Sequence, residues 1–371
     1  DDAQSLPWTL QSAAWYDKID DGNPLRKIKK EGGSVPDAIA PPAWVTWNVL
    51  NSVAQWYGGQ QNNGLVLYES GFEGTGSILA GLFSSRENGL SDYNPYLAIA
   101  YSGAGISWSG ASSAAWDSAS YNWNVGGCLG TYGDGDFVTF ADGASNPAIT
   151  VTGGGVAPGS VTINNAATTY SFSGGSINGS GTLTKQGAGQ ATLLAGNGYS
   201  GLTLVKAGAL IVAANNALGA TGSGTVVSNG AALGFQGSVN YSSAEAVTIS
   251  GGGGGGGGGA LYAVSGNNIF AGPVTLAANS TVGVAASLGL TLNGAITGNF
   301  SFTKTGGGQL SLSGTSANTY SRATYINGGT LVLRVSATIP NSPVIAVGGG
   351  ATLDVATVMG GFSLGATVAQ T

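Results

Sequence analysis

Within Gly179–Ala220 the chain repeats one local pattern: a short run rich in Leu, Val, Ile and Thr, then a turn containing glycine. Gly181–Thr184, Gln190–Ala195, Gly201–Val205 and Ala209–Ala213 are the runs. Elements this short and this closely spaced predict β-strands. The stretch also recurs. Thr184-Lys185-Gln186-Gly187-Ala188-Gly189-Gln190 returns as Thr303-Lys304-Thr305-Gly306-Gly307-Gly308-Gln309, an offset of 304 − 185 = 119 residues. Tyr320 answers Tyr199 at 121, and Gly350-Ala351-Thr352-Leu353 answers Gly230-Ala231-Ala232-Leu233 at 120. A long unit of about 120 residues is thus present once in full and again in part.

Upstream the pattern changes. Ala43-Trp44-Val45-Thr46-Trp47-Asn48-Val49 alternates as a half-buried strand does, with a short helical turn expected over Leu50–Trp56. All eight tryptophans lie at or before Trp123, and fifteen of the seventeen acidic residues at or before Asp142. This shift predicts an aromatic-cored domain over residues 1–102, then a Gly/Ala/Ser/Thr-rich solenoid over 103–371 whose opening coil is 103–175. Trp108, Trp116 and Trp123 are expected to cap that solenoid, since its last core layer needs a cover. The nine glycines Gly251–Gly259 are read as a flexible surface loop in preference to a close-packed ribbon.

Composition narrows the function classes. Only 8% of residues are charged, against about 25% in typical domains, so solubility rests on small neutral polar groups and little of the surface repels a second copy. A net charge of −6, with Lys and Arg sparse beyond residue 30, excludes a phosphate-binding patch and hence nucleic acid as a partner. The basic run Arg26–Lys30 reads as a solvated loop or a lysine-guarded edge. Cys128 is the single cysteine and is expected to be a buried small side chain. No run of about 18 apolar residues is present to span a membrane. The opening Asp1-Asp2, with no basic leader, fits a mature, processed product.

The repeated Lys-x-Gly turn, the Tyr and the spaced glycines closely resemble the autotransporter-associated β-strand repeat. That resemblance runs from about Ile106 onward and implies a right-handed parallel β-helix in an exported or surface-displayed bacterial protein. Over residues 1–102, Trp44-Val45-x-Trp47-Asn48-Val49, Asn63–Tyr68, Ser85-Arg86-Glu87 and Pro95–Tyr101 resemble the second half of a DNRLRE-type jelly-roll domain, a sandwich related to carbohydrate-binding modules. Its earlier strands have no counterpart here. The expected fold is therefore all-β: an incomplete jelly-roll sandwich followed by a parallel β-helix.

Candidate chemistry is sparse. There is no histidine, which removes Ser-His-Asp and Cys-His catalysis. Beyond residue 143 the only acids are Glu245 and Asp354, in different repeats, so no acid/base pair for glycoside cleavage is expected there. Glu69, Glu73, Glu87 and Asp92 could supply a pair upstream, but Arg86-Glu87 reads as a structural ion pair. Asp134-Gly135-Asp136 with Asp142 reads as turns rather than a calcium loop, because no glutamate closes it. The chain is read as a non-enzyme with no cofactor and no metal. Asn178, Asn240, Asn279 and Asn299 open Asn-x-Ser/Thr sequons and are candidate glycosylation sites.

Two function readings follow. In the first, the protein is a subunit of an extracellular fibre: copies of itself polymerise head to tail, the half sandwich being completed by a neighbour's strand from Asp1–Gln11 or Ala351–Thr371. Leu97 and Ile99 are the assembly residues of that reading. In the alternative, it is a monomeric surface adhesin or passenger segment presenting a module that binds polysaccharide, with Trp56 and Tyr57 stacking on sugars. Both place it at the cell surface or outside the cell.

Overall fold

The computed structural model describes residues 8–12, 30–31, 65–69, 105–254, 256, 258–358, 360–362 and 369–370. Contacts divide the chain into two units, Asp1–Tyr101 with Gly126–Cys128, and Ser102–Val125 with Leu129–Thr371. In the first unit, Trp8–Ser12 is the centre of a three-stranded antiparallel sheet flanked by Lys30–Glu31 and Leu65–Glu69. The other jelly-roll runs, Ala43–Val49, Ser85–Glu87 and Pro95–Tyr101, lie outside the described residues.

The second unit is a parallel β-solenoid of about ten turns. Its first face stacks Gly105–Trp108, Phe137–Ala141, Ser160–Asn164, Thr182–Gln186, Thr203–Val205, Thr225–Val227, Val247–Gly251, the start of Val274–Val284, and Ile296–Gly298. A second face carries Tyr170–Gly174, Gln190–Leu193, Gly208–Val212, Ala231–Phe235, Leu261–Ala263, the end of Val274–Val284, Phe302–Thr305, Thr324–Ile326 and Val344–Val347. A third face runs from Asn240–Tyr241 to Thr352–Val358. Val274–Val284 serves two faces because Ala277, Ala278 and Asn279 all stay unburied between buried Leu276 and Ser280, which breaks the alternation and turns a corner.

The pleat explains the core. Strand residues alternate between faces, so each in-register stack puts one side chain per coil inside. One inward column is Ile106, Val138, Val161, Leu183, Thr203, Thr225, Val247, Val274 and Ile296. Beside it runs Phe140, Ile163, Lys185, Val205, Val227, Ile249 and Leu276. The spacing within the first column sets the coil length: 138 − 106 = 32 residues at the opening step that carries the cap, and from 203 − 183 = 20 to 274 − 247 = 27 residues thereafter. The elementary unit is therefore this coil and not the 120-residue repeat. That repeat is not a whole number of coils: Lys185 lies on the first face between Ile163 and Val205, but Lys304 lies on the second between Val282 and Ile326.

The tryptophans do close the N-terminal end of the solenoid. Trp108, Trp116, Trp123, Tyr132 and Phe140 are all buried, with ring centroids 5.0 Å apart for Trp108–Trp123 and 5.1 Å for Trp116–Phe140. Trp123–Val125 pairs antiparallel with Gly105–Trp108, the first-face strand that would otherwise present an open edge. Buried Asn122 fixes the loop between them, accepting from the backbone N–H of Ser112 and Ser113 and donating to the Ser113 hydroxyl and the Ala115 carbonyl.

One expectation fails here and a second holds only in part. Cys128 is exposed, at the start of the three-residue strand Cys128–Gly130 that follows the Gly126-Gly127 turn and keeps none of its residues buried. The glycine run is close-packed at Gly251, Gly253, Gly254 and Gly259 and open at Gly252 and Gly256. A Cβ on Gly254 would lie 2.0 Å from the Gly230 carbonyl oxygen, and one on Gly259 2.4 Å from the Gly283 nitrogen.

Candidate functional site

Polar groups that enter the solenoid interior must find partners there, since burying an unpaired one is costly. The two recurring lysines do so in the same way. Both are fully buried at inward positions. Lys185 Nζ donates to the carbonyls of Gln186 (2.9 Å), Gly187 (2.8 Å) and, on the next coil, Ala207 (3.3 Å). Lys304 Nζ donates to Thr305 (2.9 Å), Gly306 (2.6 Å) and, on the next coil, Gly328 (2.9 Å). Three ammonium protons meet three turn carbonyls. Burial pushes both amines down to about 8, Lys185 against an opposing pull from Asp142. The glycine two residues after each lysine has a positive φ of 77° or 78°, which folds the turn back over the ammonium.

A second staple follows each lysine. Asn197 Oδ1 accepts from the Ile177 N–H (2.9 Å) on the coil before and its Nδ2 donates to the Ala217 carbonyl (2.7 Å) on the coil after. Asn318 does the same with Ile296 (2.9 Å) and Thr338 (3.1 Å). Two residues on, Tyr199 and Tyr320 are buried and hydrogen-bond the inward hydroxyls of Thr203 (2.7 Å) and Thr324 (2.6 Å). Lys, Asn, Tyr and Thr of the repeat are thus all engaged inside.

The acidic turns are occupied too. Asp142 accepts from three consecutive backbone N–H groups, Ala166, Ala167 and Thr168, which hold its carboxyl below the usual range. Asp134 accepts from the Tyr132 hydroxyl and the Ala157 N–H, and Asp136 from the Gly133 N–H. Among the described residues no group of three His, Cys, Asp or Glu could hold a metal ion.

Of the residues singled out from sequence, Leu97, Ile99, Trp56 and Tyr57 lie outside the described residues, and so do Glu73, Glu87 and Asp92. Asn178 is half-buried, its amide donating to the Ser176 carbonyl at 3.3 Å. Asn240, Asn279 and Asn299 are exposed. Asn279 accepts from the Ser301 N–H, and Asn299 from the Ser321 hydroxyl, each tying one coil to the next through its oxygen. Sequence reading named Glu245 only as an isolated acid; its full burial in the core was not foreseen, and only its rarity in this region marked it.

Comparison with known proteins agrees with this geometry. Two stretches, residues 183–212 and 302–333, match the family model described as Passenger-associated-transport-repeat, and both contain the buried lysine. Over 173 residues the chain is 34% identical to "Adhesin BmaC autotransporter" of Brucella suis biovar 1 (strain 1330), a match covering 47% of this chain and 4% of that protein. The chain thus spans only a small part of this relative's length. No solved structure matches.

Proposed function

We propose that this chain, whose solenoid is a β-helix of the autotransporter passenger type at the cell surface or outside the cell, is a non-catalytic segment of a bacterial surface adhesin. The solenoid acts as a monomeric, weakly charged spacer that holds a recognition module away from the cell. The identity to an adhesin over 173 residues carries this reading. The inward engagement of Lys185, Lys304, Asn197 and Asn318 supports it, because those side chains are not left for substrate. The module would be residues 1–102, recognising polysaccharide through Trp56 and Tyr57.

The fibre reading has less behind it. The first-face edge strand Gly105–Trp108 is already paired by Trp123–Val125, so the solenoid offers no parallel edge there for a second copy to extend. The adhesin reading is tested by displaying the chain on a non-adherent bacterium and measuring retention on immobilised glycans. Retention that disappears in a Trp56→Ala/Tyr57→Ala double variant is expected. Retention equal to that of undisplayed cells contradicts it.

A further inference from the structure

Of the first face's two inward columns, the one from Ile106 to Ile296 is aliphatic except at Thr203 and Thr225, and each threonine hydroxyl is answered. Thr203 has the Tyr199 hydroxyl and, at 3.3 Å, the Leu218 carbonyl. Thr225 has Oε1 of Glu245 at 2.8 Å. In the second repeat Thr324, the counterpart of Thr203, has the Tyr320 hydroxyl and, at 2.8 Å, that of Ser342, while the position answering Thr225 is Ile345. Glu245 therefore places an ionisable group where the other corners use neutral ones.

Its surroundings suit a neutral acid. Glu245 is fully buried and its second oxygen, Oε2, has no hydrogen-bond partner. The groups that face it are neutral at physiological pH: Thr225 on the first face, and the Tyr199 and Tyr241 phenols from the neighbouring corners. Burial raises its carboxyl above the ordinary 4.5, opposed by the Thr225 bond. A carboxylate here would be a buried charge with no counter-ion, which strongly disfavours the ionised form. The next coil is packed tightly against this residue. Gly272 of the next coil packs so closely that a Cβ there would lie 1.8 Å from the Glu245 carbonyl oxygen.

We propose that Glu245 folds as the protonated carboxylic acid and acts as a pH-sensitive latch: losing its proton opens the corner Tyr241–Val247. The bonds released are Thr225 N–H to the Ala246 carbonyl, Val247 N–H to the Pro273 carbonyl, and Leu218 N–H to the Tyr241 hydroxyl. A group whose folded value is raised gives stability that is complete below the unfolded value, near 4.5, and lost as pH rises through the folded one.

Hydrogen exchange on the whole chain between pH 5 and 8 tests this. After correction for the intrinsic exchange rate, the opening equilibrium at the Thr225 and Val247 amides rises by up to tenfold per pH unit until the folded value is passed. The Thr324 corner stays flat and serves as the internal control. Glu245→Gln, which mimics the neutral acid, removes the rise while leaving the coil protected at pH 5. A wild-type corner as flat as the control, or an unchanged slope in the glutamine variant, overturns the proposal. Should that variant not fold, the carboxyl carbon of Glu245 in the labelled wild-type chain decides: titration at the ordinary 4.5 overturns it, and titration above that value supports it.

Discussion

Lys304 Nζ lies 2.9 Å from the carbonyl oxygen of Gly328, one coil further along the solenoid. The same bond joins Lys185 to Ala207 at 3.3 Å, although the two lysines lie on different faces. What repeats is a local turn closed by an ammonium, so it can be placed wherever a coil needs it.

Replacing Lys304 by Met keeps the buried stem and strands three carbonyls. Stability should fall by roughly 2–3 kcal/mol, read as a lower urea midpoint. Because solenoid coils contact only their neighbours, faster hydrogen exchange should concentrate over residues 302–333. An even rise along the whole solenoid would contradict a local staple.

The lysines and tyrosines also fix the alkaline behaviour. Lys185 and Lys304 are pushed down to about 8 from 10.5, so the unfolded chain binds the extra protons between those values. Their contribution is complete above 10.5 and lost as pH falls through about 8. Buried Tyr170 and Tyr262 are raised from 10 to about 12, and Tyr199, Tyr241 and Tyr320 are raised as well. Their contribution is complete below 10 and lost above it. Melting temperature should therefore climb from pH 8 towards pH 10 and then drop. A Lys185→Met/Lys304→Met double variant should lose the climb and keep the drop.

Glycine substitutions separate close packing from open loop in the nine-glycine run. Gly254→Ala meets the Gly230 carbonyl oxygen at 2.0 Å, whereas Gly252→Ala meets nothing within 4 Å. The first should lower stability by at least about 1–3 kcal/mol, and the second should leave the urea midpoint within about 0.5 kcal/mol of the wild type. Equal tolerance at both positions would restore the free-loop reading.

The strands were legible because a parallel stack with one face buried writes its pleat directly into the sequence, as in Leu183/Lys185 and Thr225/Val227. The lysine itself was visible as a motif. Its burial was not, because inward Lys185 and a surface lysine look alike until the carbonyls of Gln186, Gly187 and Ala207 are brought together. The face on which a repeat lands was hidden for a different reason: it depends on summed coil lengths, and the 27-residue coil between Val247 and Val274 shifts every later strand. Cys128 and Gly254 were misjudged because exposure and close packing are set by neighbours distant in the chain.

The aromatic cap gives a positional prediction. Trp116 is fully buried against Trp123, Tyr132 and Phe140. Trp116→Ala should cost about 3–5 kcal/mol by leaving a cavity, with hydrogen exchange accelerated over Gly105–Asn164 and unchanged over Gln309–Leu312. Acceleration at both ends would mean that the solenoid unfolds as one cooperative block.

Sedimentation velocity of the purified 371-residue chain in plain buffer, over a wide concentration range, tests most directly whether this is a monomeric spacer with its polar chemistry turned inward. A single species of monomer mass, with its coefficient independent of concentration, is the result expected. Growth into ever larger species as concentration rises, with filaments in electron micrographs of the same sample, would contradict it and reinstate the fibre reading.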